Sequence, residues 1–117
     1  MACNITEVNI CRKRGDTFPF QLTIKDEDGV AIDITGDTFL LTVDPSPAPT
    51  DAVNNLFQLA GVITDAPNGV VEFTPGAVEA DQDPSVYFYD VQQTEAITGD
   101  IRTILYGQWE VVQDITK

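Results

Sequence analysis

The chain has 117 residues, with six Lys or Arg, 19 Asp or Glu and no His, so its formal charge is −13. This length suits one domain with a single core, and the negative charge disfavours nucleic acids and anionic membranes as partners. The absence of His removes the commonest general base and the commonest metal ligand.

The N-terminus has neither the charged region nor the apolar region of a signal peptide, and no apolar run approaches the roughly 20 residues of a membrane-spanning helix. Cys3 and Cys11 are eight positions apart. In an extended segment, at about 3.3 Å per residue, they lie far beyond disulfide reach. We therefore expect free thiols and synthesis in a reducing cytoplasm.

The first half of the chain alternates between strand patterns and turn signals. Residues 17–25 have a period of two, which predicts a strand, and Asp28-Gly29 predicts a hairpin after it. Short strands are predicted at 30–34 and 38–43. The apolar residues that carry the first pattern are Phe18, Phe20, Leu22 and Ile24.

The middle of the chain contains its only biased segment. Residues 44–51 include three alternating prolines, which favour an exposed loop because proline cannot donate to a strand ladder. A strand is predicted over 55–64, and Pro67-Asn68-Gly69 predicts a turn into a strand at 70–73. Thr74 as cap and Pro75 at the first helical position predict one helical turn through Glu79.

The two clearest strand patterns cover 86–94 and 101–113, joined by a hairpin around 98–100. No window has sustained helical periodicity. Seven or eight short strands at intervals of roughly 8 to 12 residues predict an all-β sandwich or barrel. We expect a single sandwich domain over residues 14–117, preceded by an N-terminal arm or first edge strand over 1–13.

The last strand pattern is apolar on both faces. Leu105, Trp109 and Val111 share one face, whereas Ile104, Tyr106 and Val112 are expected on the other. Two interpretations stay open: the chain's own loops bury both faces, or a second subunit covers the outer one. Under the second interpretation, Ile104, Tyr106 and Val112 belong to a subunit interface.

Half of the positive side chains lie in one tripeptide, Arg12-Lys13-Arg14. Residues 1–14 carry a charge of +2 and residues 15–117 carry −15. The tripeptide is either a solvated turn or a segment that docks on the acidic face of a neighbouring copy or partner. We include Arg12, Lys13 and Arg14 in the candidate subunit interface.

Other patterns offer little chemistry. Asp26, Asp28 and Gly29 resemble part of a calcium loop, but the glycine comes too early for that motif, so a hairpin tip is favoured. Asp81 and Asp83 are a weak candidate for a hard cation, and the tripeptide at 14–16 spells an adhesion motif that also simply breaks the chain before a strand. We expect no catalytic, metal-binding or cofactor-binding residues and no enzymatic activity.

Six segments follow one another in a recognisable order: RGDTF at 14–18, KDEDG at 25–29, IDITG at 32–36, GVVEFT at 69–74, YFYDVQ at 87–92 and GQWEVVQDIT at 107–116. Together they resemble the N-terminal domain of the phage baseplate upper protein family and related small virion proteins. The resemblance covers about residues 10–116 and implies an immunoglobulin-like antiparallel sandwich with a structural role in a tailed-phage particle.

The expected function is therefore that of a non-enzymatic virion protein, made in the host cytoplasm and present in multiple copies in the tail or baseplate. Its expected partners are other virion proteins and copies of itself, with no nucleic acid, membrane or small-molecule substrate. Two alternatives stay open. One is a capsid decoration or cement protein. The other is a carbohydrate- or receptor-binding module that uses Trp109, Tyr87, Tyr89 or Tyr106 as a stacking platform.

Overall fold

The computed structural model describes residues 6–26, 28–47, 49 and 55–113. Strands among these residues form one sheet of six segments and one of three. In chain order they are β1 Thr6–Glu7, β2 Ile10–Lys13, β3 Phe20–Thr23, β4 Thr38–Asp44, β5 Phe57–Ala60, β6 Val62–Asp65, β7 Val70–Phe73, β8 Ser85–Thr94 and β9 Ile101–Val112. The larger sheet has the order β1/β2, β9, β8, β4, β5, and the smaller has the order β3, β7, β6.

The chain passes between the two sheets after β2, β3, β5 and β7, which gives the strand arrangement of an immunoglobulin-like sandwich. β1 and β2 lie along the same edge of β9 in one parallel register, which pairs Thr6 with Leu105 and Ile10 with Trp109. The nine described segments therefore occupy eight strand positions. The predicted all-β sandwich is confirmed, although this N-terminal edge pairs in parallel and the other ladders are antiparallel.

Alternation along the central strands builds the core, because successive side chains of a strand point to opposite faces. In β4, Phe39, Leu41 and Val43 are buried while Leu40 is exposed. Trp109 of β9 is also buried, and its ring lies edge-on to those of Phe57 and Tyr89. Other members of the core are Ile24, Ile34, Leu59, Val71, Phe73, Val91, Leu105 and Val111.

The single strand predicted over 55–64 is wrong, because Gly61 divides it into β5 and β6, which belong to different sheets. A Cβ at Gly61 would lie 2.8 Å from the Cβ of Phe39 and 2.8 Å from Cγ2 of Val71. Glycine is therefore needed where the chain crosses the top of the core. The Gly61 N–H donates to the carbonyl of Phe39.

The strand predicted over 30–34 is also wrong, since only an isolated bridge between Lys25 and Ala31 forms there. The segment packs against the core instead: Ile34 is fully buried, and its N–H donates to the carbonyl of Ala66 in the turn between β6 and β7. The segment therefore closes the edge of the core rather than extending a sheet.

The turns and the short helix largely follow the sequence pattern. A 3-10 turn over Ala66–Asn68 joins β6 to β7, and Gly69 follows it with a left-handed φ of 72°. Helix α1 covers Ala77–Ala80 and begins after Gly76, not after Thr74 as predicted. The Gly76 N–H donates to Oε1 of Glu79 at 3.3 Å, so a side chain inside the helix caps it.

The predicted proline-rich loop follows β4, and its described residues 45–47 and 49 lie outside the strands. The segment expected as an arm or first edge strand provides β1 and β2. Residues 1–5, which include Cys3, lie outside the described residues, whereas Cys11 in β2 is a free, exposed cysteine.

Candidate interaction surface

Arg12, expected at a subunit interface, lies instead inside its own domain. Arg12 is only 6% exposed, and its guanidinium donates to the carbonyl oxygens of Phe18 at 2.6 Å and Asp16 at 3.2 Å. The guanidinium carbon also lies 3.8 Å from the centre of the Phe18 ring. Burial lowers the pKa of Arg12, while the charge of Asp16 opposes that shift. The expectation that Arg12 docks on a neighbour is corrected, because its side chain fastens the chain between β2 and β3.

The other two members of the basic tripeptide differ from each other. Arg14 pairs through Nε with Oδ1 of Asp81 at 2.8 Å, and its terminal nitrogen lies 3.7 Å from Asp83. This contact accounts for the two acids that were weak candidates for a cation site. Lys13 is exposed, whereas Arg14 is partly buried.

The three apolar residues predicted to share the outer face do not all do so. A register shift in the ladder between β8 and β9 falls after Val91, and Ile104 packs partly buried against the core. An extra residue in one strand reverses the alternation beyond it, which explains why Ile104 leaves the face that the period of two assigns. Tyr106 is 43% exposed, and Val112 is half-buried near the end of β9.

Three of the four aromatic residues predicted as a stacking platform are buried. Tyr87, Tyr89 and Trp109 are 8%, 4% and 3% exposed, so their rings belong to the core. The hydroxyls of Tyr87 and Tyr89 donate to the carbonyls of Asp83 and Val8, each at 2.7 Å. Tyr106 alone among the four is exposed.

The surface of the larger sheet that points away from the smaller one is called the outer face below. Cross-strand pairing places Thr42 beside Asp90 and Asp90 beside Tyr106, while Asp44 lies beside Phe88 in the next row. A cavity of about 570 Å³ opens on this face, and Pro47 and Pro49 of the proline-rich loop line one side of it. This outer-face cavity is lined principally by Asp44, Pro47, Phe88, Asp90, Tyr106 and Gln108.

The cavity is acidic, and one of its carboxylates is incompletely bonded. Asp44 is 4% exposed; its Oδ1 accepts from the Ser46 N–H at 2.8 Å, but its Oδ2 has no hydrogen-bond partner in the described part of the chain. Asp90 is half-buried, and its burial raises its pKa. Glu7 adds a third carboxylate at the rim, and no Lys or Arg is among the described residues that line the cavity.

Sequence reasoning missed Asp44 and Asp90 as site residues. A signal was available, because each occupies the outward position of a strand whose neighbours Val43 and Tyr89 point inward. The signal was incomplete, since only the order of the strands shows that β4 and β8 are adjacent and bring the two acids to one surface.

The remaining candidate motifs have structural roles. Asp26 Oδ1 accepts from the N–H groups of Asp28 and Val30, which makes a hydrogen-bonded hairpin tip. Among the described residues no group of three or more His, Cys, Asp or Glu is arranged to hold a metal ion. Within the described part of the chain, no helix is long and apolar enough to cross a membrane.

No family model and no curated protein matches the sequence. Among solved structures, the chain is similar to an uncharacterized protein from Bacillus anthracis strain Ames, determined by crystallography at 1.4 Å resolution. The two share 14% identity, with a TM-score of 0.48, over 95% of this chain and 86% of the other. The resemblance to phage baseplate upper proteins stays a prediction from the sequence.

Proposed function

We propose that this protein is a non-enzymatic structural protein of a tailed-phage virion, which assembles in multiple copies in the tail or baseplate. The observation that carries the proposal is the outer face, where an exposed Tyr106 and a partly buried Phe88 surround an acidic cavity. Exposed aromatic side chains are enriched at protein–protein interfaces relative to the rest of a protein's surface.

The sandwich supplies the rigidity that such a role needs. The outer face is built on β4, β8 and β9, the three central strands of the larger sheet, and their opposite side forms the core. A side chain on these strands is therefore held by the packing beneath it, and the interface is preformed. A preformed surface loses less conformational freedom on binding than a loop does.

The assignment to a phage particle is supported by the six sequence segments and their order. The segments at 87–92 and 107–116 contribute to β8 and β9, and the segment at 69–74 contains β7. The proposal therefore depends on the sequence pattern for the particle and on the outer face for the contact.

The particle is tested by analysing purified virions of a phage that encodes the chain. We expect the protein in stoichiometric amounts by mass spectrometry, with its density in the tail or baseplate. Density on the capsid shell would instead identify a decoration or cement protein. Absence from the particle would overturn the proposal.

The contact is tested by sedimentation velocity over a wide range of concentrations, alone and with the proteins that copurify from the particle. We expect association that Tyr106→Ser weakens, since this change removes the exposed ring from the outer face. Ile97→Ser is the matched control, because Ile97 is 98% exposed in the connection between β8 and β9. A monomer at every concentration that also binds no copurifying protein would exclude this use of the outer face.

A further inference from the structure

We propose that the outer-face cavity binds an arginine side chain of a partner protein. The inference rests on the proposed function, in which the outer face is an interface, and it names the chemical group that this face receives. Three features carry it: an unpartnered buried carboxylate, an aromatic surface beside a second carboxylate, and the absence of any lining cation among the described residues.

The first feature is Asp44. A buried carboxylate oxygen without a hydrogen bond costs folding free energy, because the group has lost water and gained no partner. Asp44 points to the outer side of β4, since Val43 points to the core, and it forms part of the cavity wall. Its Oδ1 is already held by Ser46. An N–H donor that enters the cavity would bond the remaining oxygen, Oδ2.

The second feature is the arrangement around Asp90. Asp44 pairs with Phe88 across the ladder, so Asp90, two residues further along β8, is its diagonal neighbour. Residues at such diagonal positions are typically about 7 to 8 Å apart, within reach of long side chains. Tyr106 pairs with Asp90 on the other side. A group that enters the cavity therefore meets two carboxylates and two aromatic rings. Cations bind over aromatic faces and beside carboxylates.

These features favour a guanidinium over a metal ion or an ammonium. Calcium takes six to eight oxygen ligands, whereas the cavity lining is rich in aromatic and proline side chains and the described residues contain no metal-type cluster. A guanidinium is planar, stacks on rings and bonds carboxylates through several N–H groups. The same domain already uses this contact internally, where Arg12 lies over Phe18.

The arginine comes from a different protein. The sequence has three arginines. Arg12 is buried, Arg14 pairs with Asp81, and Arg102 donates to Gln93 at 3.2 Å. Arg12 and Arg14 are thus engaged within their own chain, and Arg102, whose side chain is 52% exposed, also lies 3.7 Å from Glu95. A partner with an exposed arginine is also favoured by charge, since residues 15–117 carry −15.

The test is an NMR titration of the ¹⁵N-labelled protein with N-acetyl-arginine methylamide, alongside the isosteric, uncharged citrulline compound and the lysine compound. We expect saturable shifts at the amides of Thr42, Asp90 and Tyr106, with a Kd on the order of millimolar. The citrulline compound should bind about tenfold more weakly, and the lysine compound should also bind more weakly.

Variants separate the cavity from the general negative charge. Asp90→Asn should weaken binding of the arginine compound about fivefold, whereas Asp100→Asn, which removes the same charge from an exposed turn, should leave binding unchanged. Asp44→Asn should also weaken binding, because it replaces the acceptor oxygen Oδ2 that faces no partner in the described part of the chain. Equal binding of the citrulline or lysine compound, or equal effects of Asp90→Asn and Asp100→Asn, would overturn the arginine site.

The two proposals fail in different ways. If the arginine compound does not bind but Tyr106→Ser still weakens association, the arginine site is wrong and the interface stands. If the compound binds at the cavity but the protein is monomeric, without partners and absent from particles, the site stands as a binding site and the proposed function is wrong.

Discussion

The hydroxyl of Tyr89, in the centre of the larger sheet, donates a hydrogen bond of 2.7 Å to the carbonyl oxygen of Val8, between β1 and β2. The parallel edge is interrupted at this point: the Val8 N–H still donates to Tyr106, but the N–H of Gln108 donates to the side chain of Asn9. The buried Tyr89 side chain thus supplies a hydrogen-bond donor to the Val8 carbonyl at the point where the backbone ladder is interrupted.

Replacing Tyr89 by Phe should destabilise the domain by about 1 to 2 kcal/mol, because the Val8 carbonyl loses the hydrogen bond that the buried Tyr89 side chain donates. Chemical denaturation measures this change. Tyr106→Phe is the control, and as a change at an exposed ring it should stay within about 0.5 kcal/mol of the wild type. Equal stability of Tyr89→Phe and wild type would show that the hydrogen bond contributes nothing.

Gly107 makes the approach of Val8 possible, since a Cβ at this position would overlap the Val8 carbonyl. Gly107→Ala should therefore displace β1 and β2 and cost about 1 to 3 kcal/mol. Amide hydrogen exchange should accelerate in residues 8–13 more than in β4. Gly76→Ala is the control, because the added Cβ there meets only the flexible carboxylate of Glu79. Unchanged protection of β2 in Gly107→Ala would refute the steric account.

Asp90 should make the folded protein less stable as the pH rises. Burial raises the pKa of Asp90 above its ordinary value of 3.8, so the folded state binds a proton at this carboxyl more readily than the unfolded chain does. Ionisation therefore costs stability as the pH rises from 3.8 through the folded pKa. Asp90→Asn should raise the melting temperature at about pH 7, and the gain should vanish towards about pH 3.

Asp33 provides a control of opposite sign for this measurement. Hydrogen bonds from the Thr35 hydroxyl and N–H lower the pKa of Asp33, so its ionised form favours the folded state above the ordinary pKa and loses that contribution as the pH falls. Asp33→Asn should lower the melting temperature at neutral pH only. The same pH dependence for both variants would contradict these assignments.

Arg12→Lys should destabilise the domain although it retains the charge, because an ammonium cannot both bond two carbonyls and stack on the Phe18 ring as the guanidinium does. We expect a loss of about 1 to 2 kcal/mol by chemical denaturation, against less than about 0.5 kcal/mol for Lys13→Arg at the exposed neighbour. Charge reversal of all three residues of the tripeptide would therefore disturb folding as well as assembly. Lys13→Glu changes only an exposed side chain, so it is the variant that tests whether a positive charge at this position contributes to assembly. If Arg12→Lys is as stable as the wild type, the guanidinium does not stabilise the domain, and Arg12 is again a candidate for the interface.

The sequence predicted the strands whose pattern depends on local alternation, such as β4, β8 and β9, because burial of one face imposes a period of two. It did not predict the break at Gly61, since the close contact with Phe39 and Val71 joins residues distant along the chain. The burial of Arg12 was missed for a different reason: its partners, the carbonyls of Asp16 and Phe18, are close in sequence, but the path of the turn into β3 brings them to the guanidinium. A basic tripeptide has the same appearance in a sequence whether it is solvated or folded inward.

Whether the outer face is an interface is decided by a cryo-electron map of the intact particle at side-chain resolution. We predict that the outer face of each copy contacts a neighbouring protein, with an arginine of that protein in the cavity beside Asp44 and Asp90. A map in which the outer face of the sandwich is open to solvent in every copy would show that this face is not an interface.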